Sequence, residues 1–350
     1  MSTVTTIFIA VLVFGLLILI HELGHYIFAR IFNVKIFEFS IGMGPKLLKH
    51  TSKKTGITYA ISAIPFGGYV AMAGEDGESD DPNSFDKKPA WQRFIITVAG
   101  PAVNIIAGFI VMTIFTVMVD IGGTTVGKFL PMDKTGFTVS SEESGLKVGD
   151  TVTHVNGKRV GISDELFYEI TRSGHKPVTL EVIRDGEQIN LENVIFPTVN
   201  GQGQVFGSRD FLVYREEKSF GTVMRYAFSK GALMVRMCWE SLYDLVVGRY
   251  TVEAISGPVG ISGAIGEAAS QGIDVLLHIT ALISINLGVM NLLPIPALDG
   301  GRIIMLFIEM ITRRRIPKKI EATINGVSLF LLLGLSFLIM IKDVVQIILT

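Results

Sequence analysis

The chain has 350 residues, of which 49% are apolar, and its 31 Lys and Arg nearly balance its 32 Asp and Glu. With a mean hydropathy of +0.49, this composition describes an integral membrane protein, and the near-neutral charge gives no sign of nucleic-acid binding. The one cysteine, Cys238, cannot close an internal disulfide or form a cysteine metal motif, so it reads as a packing residue.

The first apolar span runs from Val4 to Ala29, long enough to cross a hydrocarbon core of about 30 Å. No Lys or Arg precedes Arg30 and no small-residue cleavage site precedes the histidines, so it reads as a retained transmembrane helix and not a signal peptide. At its end stands His21-Glu22-Leu23-Gly24-His25. On a helix His21 and His25 lie one turn apart on one face, where both rings reach one zinc ion. Glu22 is placed to take a proton from a zinc-bound water. Ionisable groups in an apolar helix are costly, which favours a functional site over histidines that merely snorkel to the interface.

Residues 30–93 form a linker rich in Lys, including Lys35, Lys46, Lys49, Lys53, Lys54, Lys87 and Lys88, and the positive-inside rule puts it in the cytoplasm. Within it, Thr55–Met72 is rich in β-branched and aromatic residues and is broken by Gly67-Gly68, the pattern of a β-hairpin. It is either a small cytoplasmic hairpin or a re-entrant sheet beside the active site, the latter requiring protein to shield its backbone. Gly74–Lys88 reads as a loop. The second span, Trp91–Val119, contains Gly100-Pro101-Ala102-Val103-Asn104, where small residues allow close helix contact and Asn104 needs a polar partner. Packing against the first helix is the reading preferred over direct catalysis by Asn104.

From Gly122 to Val199 short alternating strands (Thr151–Asn156, Val178–Ile183, Ile189–Val194) flank a helical stretch, Asp164–Thr171, with turns at Asn156-Gly157 and Asp185-Gly186. This is a soluble α+β module on the outer side. Phe220–Val247 has one apolar face with interspersed charges and reads as an amphipathic helix on the membrane or on the core. Ser256–Gln271, rich in Gly and Ala, reads as a loop or a broken helix. The third span, Ile273–Leu293, runs into Asn291-Leu292-Leu293-Pro294-Ile295-Pro296-Ala297-Leu298-Asp299-Gly300-Gly301, where the backbone must unwind and line a cavity. Arg302–Lys319 is a second basic, cytoplasmic linker, and Asn325–Leu349 is the fourth span.

Spans one and three run in the same direction, so Asp299 reaches the depth of His21 and His25 and supplies the third zinc ligand. The competing reading is a helix-terminal carboxylate paired with Arg302. His50, His154, His175 and His278 fall at the wrong depth or in the outer module. The expected divisions are an N-terminal membrane core over 1–121, an outer module over 122–200, an amphipathic helix and linker over 201–272, and a C-terminal membrane core over 273–350.

H-E-x-x-H, then G-P-x-x-N, then N-x-x-P-x-P-x-L-D-G occur in the order found in the site-2 protease family of intramembrane zinc metalloproteases, which the whole chain resembles. It resembles most its bacterial branch, the RseP/RasP-like enzymes of regulated intramembrane proteolysis. Ser144-Gly145-Leu146-Lys147-Val148-Gly149-Asp150 with Val155-Asn156-Gly157 resembles the PDZ domains of bacterial proteases. The fold implied is a polytopic α-helical membrane protein of about four transmembrane helices, with a membrane-associated β-hairpin or sheet and one inserted α+β PDZ-like domain. The resemblance implies one Zn2+ per chain on His21, His25 and Asp299, Glu22 as general base and acid, and Asn291, Pro294, Pro296 and Asn286 along the substrate path. It also implies that the Thr55–Met72 segment is membrane-associated and guides substrate. The implied substrates are single-span membrane proteins such as anti-sigma factors, or remnant signal peptides, in the bilayer of a bacterial inner membrane. Both termini and the PDZ-like domain lie outside, with the active site near the cytoplasm. One PDZ-like module, where some relatives carry two, disfavours a two-domain gate. A metal carrier would need further ionisable groups across the bilayer, and a binding adaptor would have no use for the histidines.

Overall fold

The computed structural model describes residues 3–75, 77, 79–131, 137, 139–201, 204–249 and 256–349. Residues 76 and 78 of the expected loop Gly74–Lys88, and 202–203 and 250–255 of the expected segment 201–272, lie outside them. The chain divides into two compact units, 1–111 with 237–350, and 112–236.

Helices α1 (Thr3–Ile31) and α2 (Ala90–Met118) carry the first two spans. A lipid core offers no water to the backbone, so apolar runs of this length satisfy their amides internally as helices. Among the described residues, four helices are long and apolar enough to cross a membrane, over Val4–Ile31, Ala90–Met118, Ile273–Asn291 and Lys319–Val345. They coincide with the four expected spans to within a few residues, except that the last begins six residues before Asn325. Small residues bring the helices together. A Cβ on Gly24 of α1 would lie 2.5 Å from the Ala99 carbonyl oxygen of α2, so backbone meets backbone there.

Strands β1 (Ile36–Thr51) and β2 (Thr58–Met72) form a two-stranded sheet. This corrects the hairpin expected within Thr55–Met72, since Thr58–Met72 is one long strand whose partner is the stretch read as a plain basic linker. Gly67-Gly68 is not its turn. Residues 38–41 have partners on both sides, Ala71 to Gly68 and Thr58 to Ile61, so the two strands bend over themselves. Gly42 and Gly44, at φ 82° and 83°, and Gly67, at φ 89°, supply the bends. The lysines did not prevent strand formation because Lys46 to Thr51 lie on the exposed outer half.

In the same unit, α5 (Pro258–Gln271) is a continuous helix, where a loop or broken helix was expected. Pro258 occupies its first turn, the position that tolerates proline. Its free amides are capped from another helix: buried Asp343 of α8 (Lys318–Leu349) accepts from the Gly257 and Gly260 N–H groups, each at 2.9 Å. The Gly and Ala residues that suggested a breaker serve close packing, and a Cβ on Gly266 would fall 2.2 Å from Thr6 of α1. Helix α6 (Ile273–Asn291) stops where the Pro-rich motif begins, and the chain is non-helical until α7 (Asp299–Thr312). Helix α7 was not expected, since its residues from Arg302 on were assigned to a linker. Two ion pairs absorb its charges, Arg302 with Glu75 at 2.6 Å and Glu309 with Arg93 at 2.6 Å.

The second unit is built on a six-stranded sheet. Its path is β10 (Phe211–Arg215), β3 (Gly122–Phe129), β4 (Thr151–Val155), β6 (Val178–Arg184) and β7 (Glu187–Val194), with β5 (Lys158–Arg159) on β4. The three expected strands and the expected helix, α3 (Ser163–Ser173), are present. Asn156-Gly157 and Asp185-Gly186 have positive φ at both positions, as two-residue hairpin turns require. Strands β8 (Thr198–Gly201) and β9 (Gln204–Gly207) pair antiparallel as a separate two-stranded sheet. Because β10 pairs with β3, the sheet runs past the boundary expected at residue 200. Phe211 explains the extension: it is fully buried in the core with Val126, Leu146, Leu180 and Phe196. Helix α4 (Phe220–Val246) matches the expected amphipathic segment, and in its first half Arg225 and Lys230 pair with Glu216 and Asp164.

Candidate active site

Helix α1 presents His21 and His25 on one face, with their Nε2 atoms 3.3 Å apart. Asp299, the first residue of α7, brings its Oδ2 to 3.0 Å from His21 Nε2 and 3.3 Å from His25 Nε2. Asp299 is not held by Arg302, whose guanidinium is taken by Glu75. Positioning of Asp299 is a local matter of small residues. Cβ atoms on Gly300 and Gly301 would lie 1.9 Å from the Leu293 carbonyl oxygen and 2.6 Å from Pro296 Cα, so only glycines let α7 start this close to the Pro-rich segment.

The fit to zinc can be judged from these distances. Zinc bonds of about 2.0–2.1 Å in a tetrahedron require neighbouring ligand atoms about 3.3 Å apart. The three edges of the His21, His25, Asp299 triangle are 3.3, 3.0 and 3.3 Å. Three acceptor-type atoms converge without a hydrogen-bond donor for Asp299 Oδ2, which is buried. Among the described residues this is the one group of three or more His, Cys, Asp or Glu able to hold a metal. Helix α2 buttresses the histidines. His25 Nδ1 lies 2.9 Å from the Ile96 carbonyl, and the Asn104 amide lies 3.3 Å from His21 Nδ1.

A cavity of about 610 Å³ opens onto the cluster, lined by His21, Glu22, His25 and Asp299. The rest of its wall is the end of β2, Tyr69 to Met72, followed by Gly74, Glu75 and Gly77. Glu22 thus faces the same space as the three candidate ligands, with Gly68 packed over its side chain. Glu75 is a carboxylate in this wall that the sequence reading passed over. An acid three residues beyond the apolar strand end Tyr69-Val70-Ala71-Met72 was the available signal. Among the described residues, Asn286, Asn291, Pro294 and Pro296 are not brought into the cavity lining. Asn286 is on α6 with its Oδ1 buried and unpartnered, and Asn291 closes that helix. His154 lies in the second unit, 3.1 Å from Glu181.

Two imidazoles, a carboxylate and a second carboxylate beside them are the residue set of a zinc hydrolase, carried here on helices long enough to span a membrane. The model of peptidase family M50 matches residues 9–335. A provisionally named zinc metalloprotease of Clostridium acetobutylicum is 34% identical over 340 residues, covering 97% of each chain. One of Clostridium perfringens is 33% identical over 341 residues, covering 97% of this chain and 98% of its own. Zinc metalloprotease RasP of Bacillus licheniformis is 26% identical over 424 residues, covering 97% of each. The chain belongs to peptidase family M50, the site-2 proteases, and is a zinc metalloprotease of the membrane.

Proposed function

We propose that the protein hydrolyses peptide bonds within or beside the transmembrane segments of client membrane proteins, using His21, His25 and Asp299 as zinc ligands and Glu22 as general base. The observation that carries this reading is the convergence of the two α1 histidines with Asp299 at tetrahedral spacing, in a cavity that Glu22 shares. When bound there, zinc lowers the pKa of its water toward about 7 and stabilises the developing oxyanion. Glu22 accepts the proton of the attacking water and returns it to the leaving amine.

A helical substrate hides its carbonyls, so the scissile stretch must first become extended. Residues 68–71 of β2 pair with Ile41–Glu38 on one side and line the cavity from Tyr69 onward. Pairing of the substrate to this strand would hold it extended across the cluster. Asn291, Pro294 and Pro296, with Asn286, are assigned to the path leading there on the family pattern. The sheet of the second unit is assigned as a single PDZ-like domain that selects clients outside the cytoplasm.

The clients inferred from the RasP-like branch are single-span proteins such as anti-sigma factors, and remnant signal peptides. Charge asymmetry supports a cytoplasmic position for residues 30–93 and 302–319, with both termini outside a bacterial inner membrane and the zinc site near the cytoplasmic face. In a purified assay with a reporter membrane segment, Glu22→Gln is expected to retain zinc and lose cleavage by about 10²–10⁴-fold, the contribution of a positioned base. Near-normal cleavage by that variant would remove Glu22 from its role. The same variant, used as a trap in cells, should accumulate the clients.

A further inference from the structure

Ile96, Gly100 and Asn104 are spaced by four along α2 and form one stripe of that helix. The stripe lies against the histidine face of α1. A Cβ on Gly100 would fall 2.3 Å from His25 Nε2, so glycine is what lets the ring lie against the helix. One turn before it, the Ile96 carbonyl accepts from His25 Nδ1 at 2.9 Å. One turn after it, the fully buried Asn104 places its amide 3.3 Å from His21 Nδ1.

The chemistry of His21 fixes which end of that amide faces the ring. Its Nε2 points at the cluster, 3.0 Å from Asp299 Oδ2 and 3.3 Å from His25 Nε2. A neutral imidazole that offers a lone pair at Nε2 carries its proton on Nδ1, so Nδ1 must find an acceptor. With the Asn104 nitrogen toward the ring, Asn104 Oδ1 is buried and without a partner. The oxygen and nitrogen of an amide exchange places by a half-turn of the side chain. With the oxygen toward the ring, His21 Nδ1–H gains its acceptor and the stranded oxygen gains its donor. Ser284 of α6 donates to the Asn104 backbone carbonyl at 2.8 Å and holds this part of α2 to the third span.

We propose that Asn104 is a positioning residue of the zinc site, its side-chain carbonyl accepting the Nδ1–H of His21 and so holding the ring in the tautomer that presents Nε2 to the metal. Helix α2 then serves both ligands, His25 through a backbone carbonyl and His21 through a side chain. The inference rests on His21 being a zinc ligand, and the experiment separates the two.

The test uses the full-length protein in detergent, with zinc affinity measured by chelator competition and zinc content by elemental analysis. Asn104→Leu keeps the volume and removes the acceptor, and should weaken zinc binding about 10–100-fold, the usual loss for such partners. Asn104→Asp keeps an acceptor toward His21 and should hold zinc at least as tightly as the unaltered protein. Unchanged affinity in Asn104→Leu, or equal loss in both variants, overturns the proposal. His21→Ala serves as the control: if it retains full zinc, the ligand assignment itself fails, whatever Asn104 does. Should either Asn104 variant fail to fold, histidine-selective ¹⁵N NMR of the unaltered zinc-loaded protein decides. A His21 ring protonated at Nδ1 and metal-bound at Nε2 supports the proposal, and the opposite arrangement refutes it.

Discussion

Asp299 reaches the histidines of α1 from nearly 280 residues away in sequence, and the carboxylate contributes by completing a triangle that two imidazoles leave open. Its replacement should therefore act on metal before it acts on rate. Asp299→Ala is expected to lose bound zinc by at least the roughly tenfold that a mere supporting partner costs, measured as zinc per chain after dialysis. Full occupancy in that variant would exclude Asp299 as a ligand. His21 and His25 were legible in the sequence because their spacing acts within one helix, where four residues make one turn. Asp299 was legible by parity of the spans and by the family pattern. The contacts of Asn104 with His21 and of Glu75 with Arg302 were not, since each depends on how one element is rotated against another.

At the level of elements, the contact of α1 with α2 depends on glycine at two points, Gly24 and Gly100. Gly24→Ala would push a methyl group into the Ala99 and Gly100 backbone, which has no side chain to move aside. A cost of about 1–3 kcal/mol is expected for such overpacking, read as a lower thermal midpoint in detergent together with weaker zinc retention. In the second unit the element contact is electrostatic. Buried Asp150 takes two bonds from Arg184, both at 2.7 Å, and one from the Lys147 N–H at 2.8 Å. Burial raises its pKa, but the Arg184 and Lys147 bonds outweigh burial and hold it below the usual aspartate value. A depressed carboxyl binds its proton less readily when folded than when unfolded. Its contribution is thus complete above the unfolded value of about 3.9 and is lost as pH falls through the lower folded one. Hydrogen-exchange protection of residues 139–194 in the full chain, relative to the unstructured rate at the same pH, should fall below about pH 4, and Asp150→Asn should show weak protection already at neutral pH. Slow exchange in Asp150→Asn at neutral pH would count against the Arg184 clamp. The strand Phe211–Arg215 was missed because its five residues carry two charged neighbours and no turn signal. Only the core place of Phe211 shows that it belongs to the sheet.

For the whole molecule, the charge-derived topology is open to a direct check. In a Cys238→Ser background, Lys53→Cys in β2's preceding turn and Glu187→Cys at the start of β7 should react with an impermeant thiol reagent from opposite faces of the membrane, Lys53→Cys from the cytoplasm. Labelling of both from one face would overturn the assignment of residues 122–200 to the outside.

The sequence by itself determined the four apolar spans, the α+β insertion and the two histidines with their glutamate, because each rests on periodicity or continuity within one segment. Tertiary structure alone decided the partner of β2, the reach of the module to β10, the helicity of α5 and α7, and the side of α2 that meets the histidines. These depend on which backbone groups and which glycine surfaces meet across distant segments. The H-E-x-x-H helix is therefore complete only where α2 and the first residue of α7 close around it.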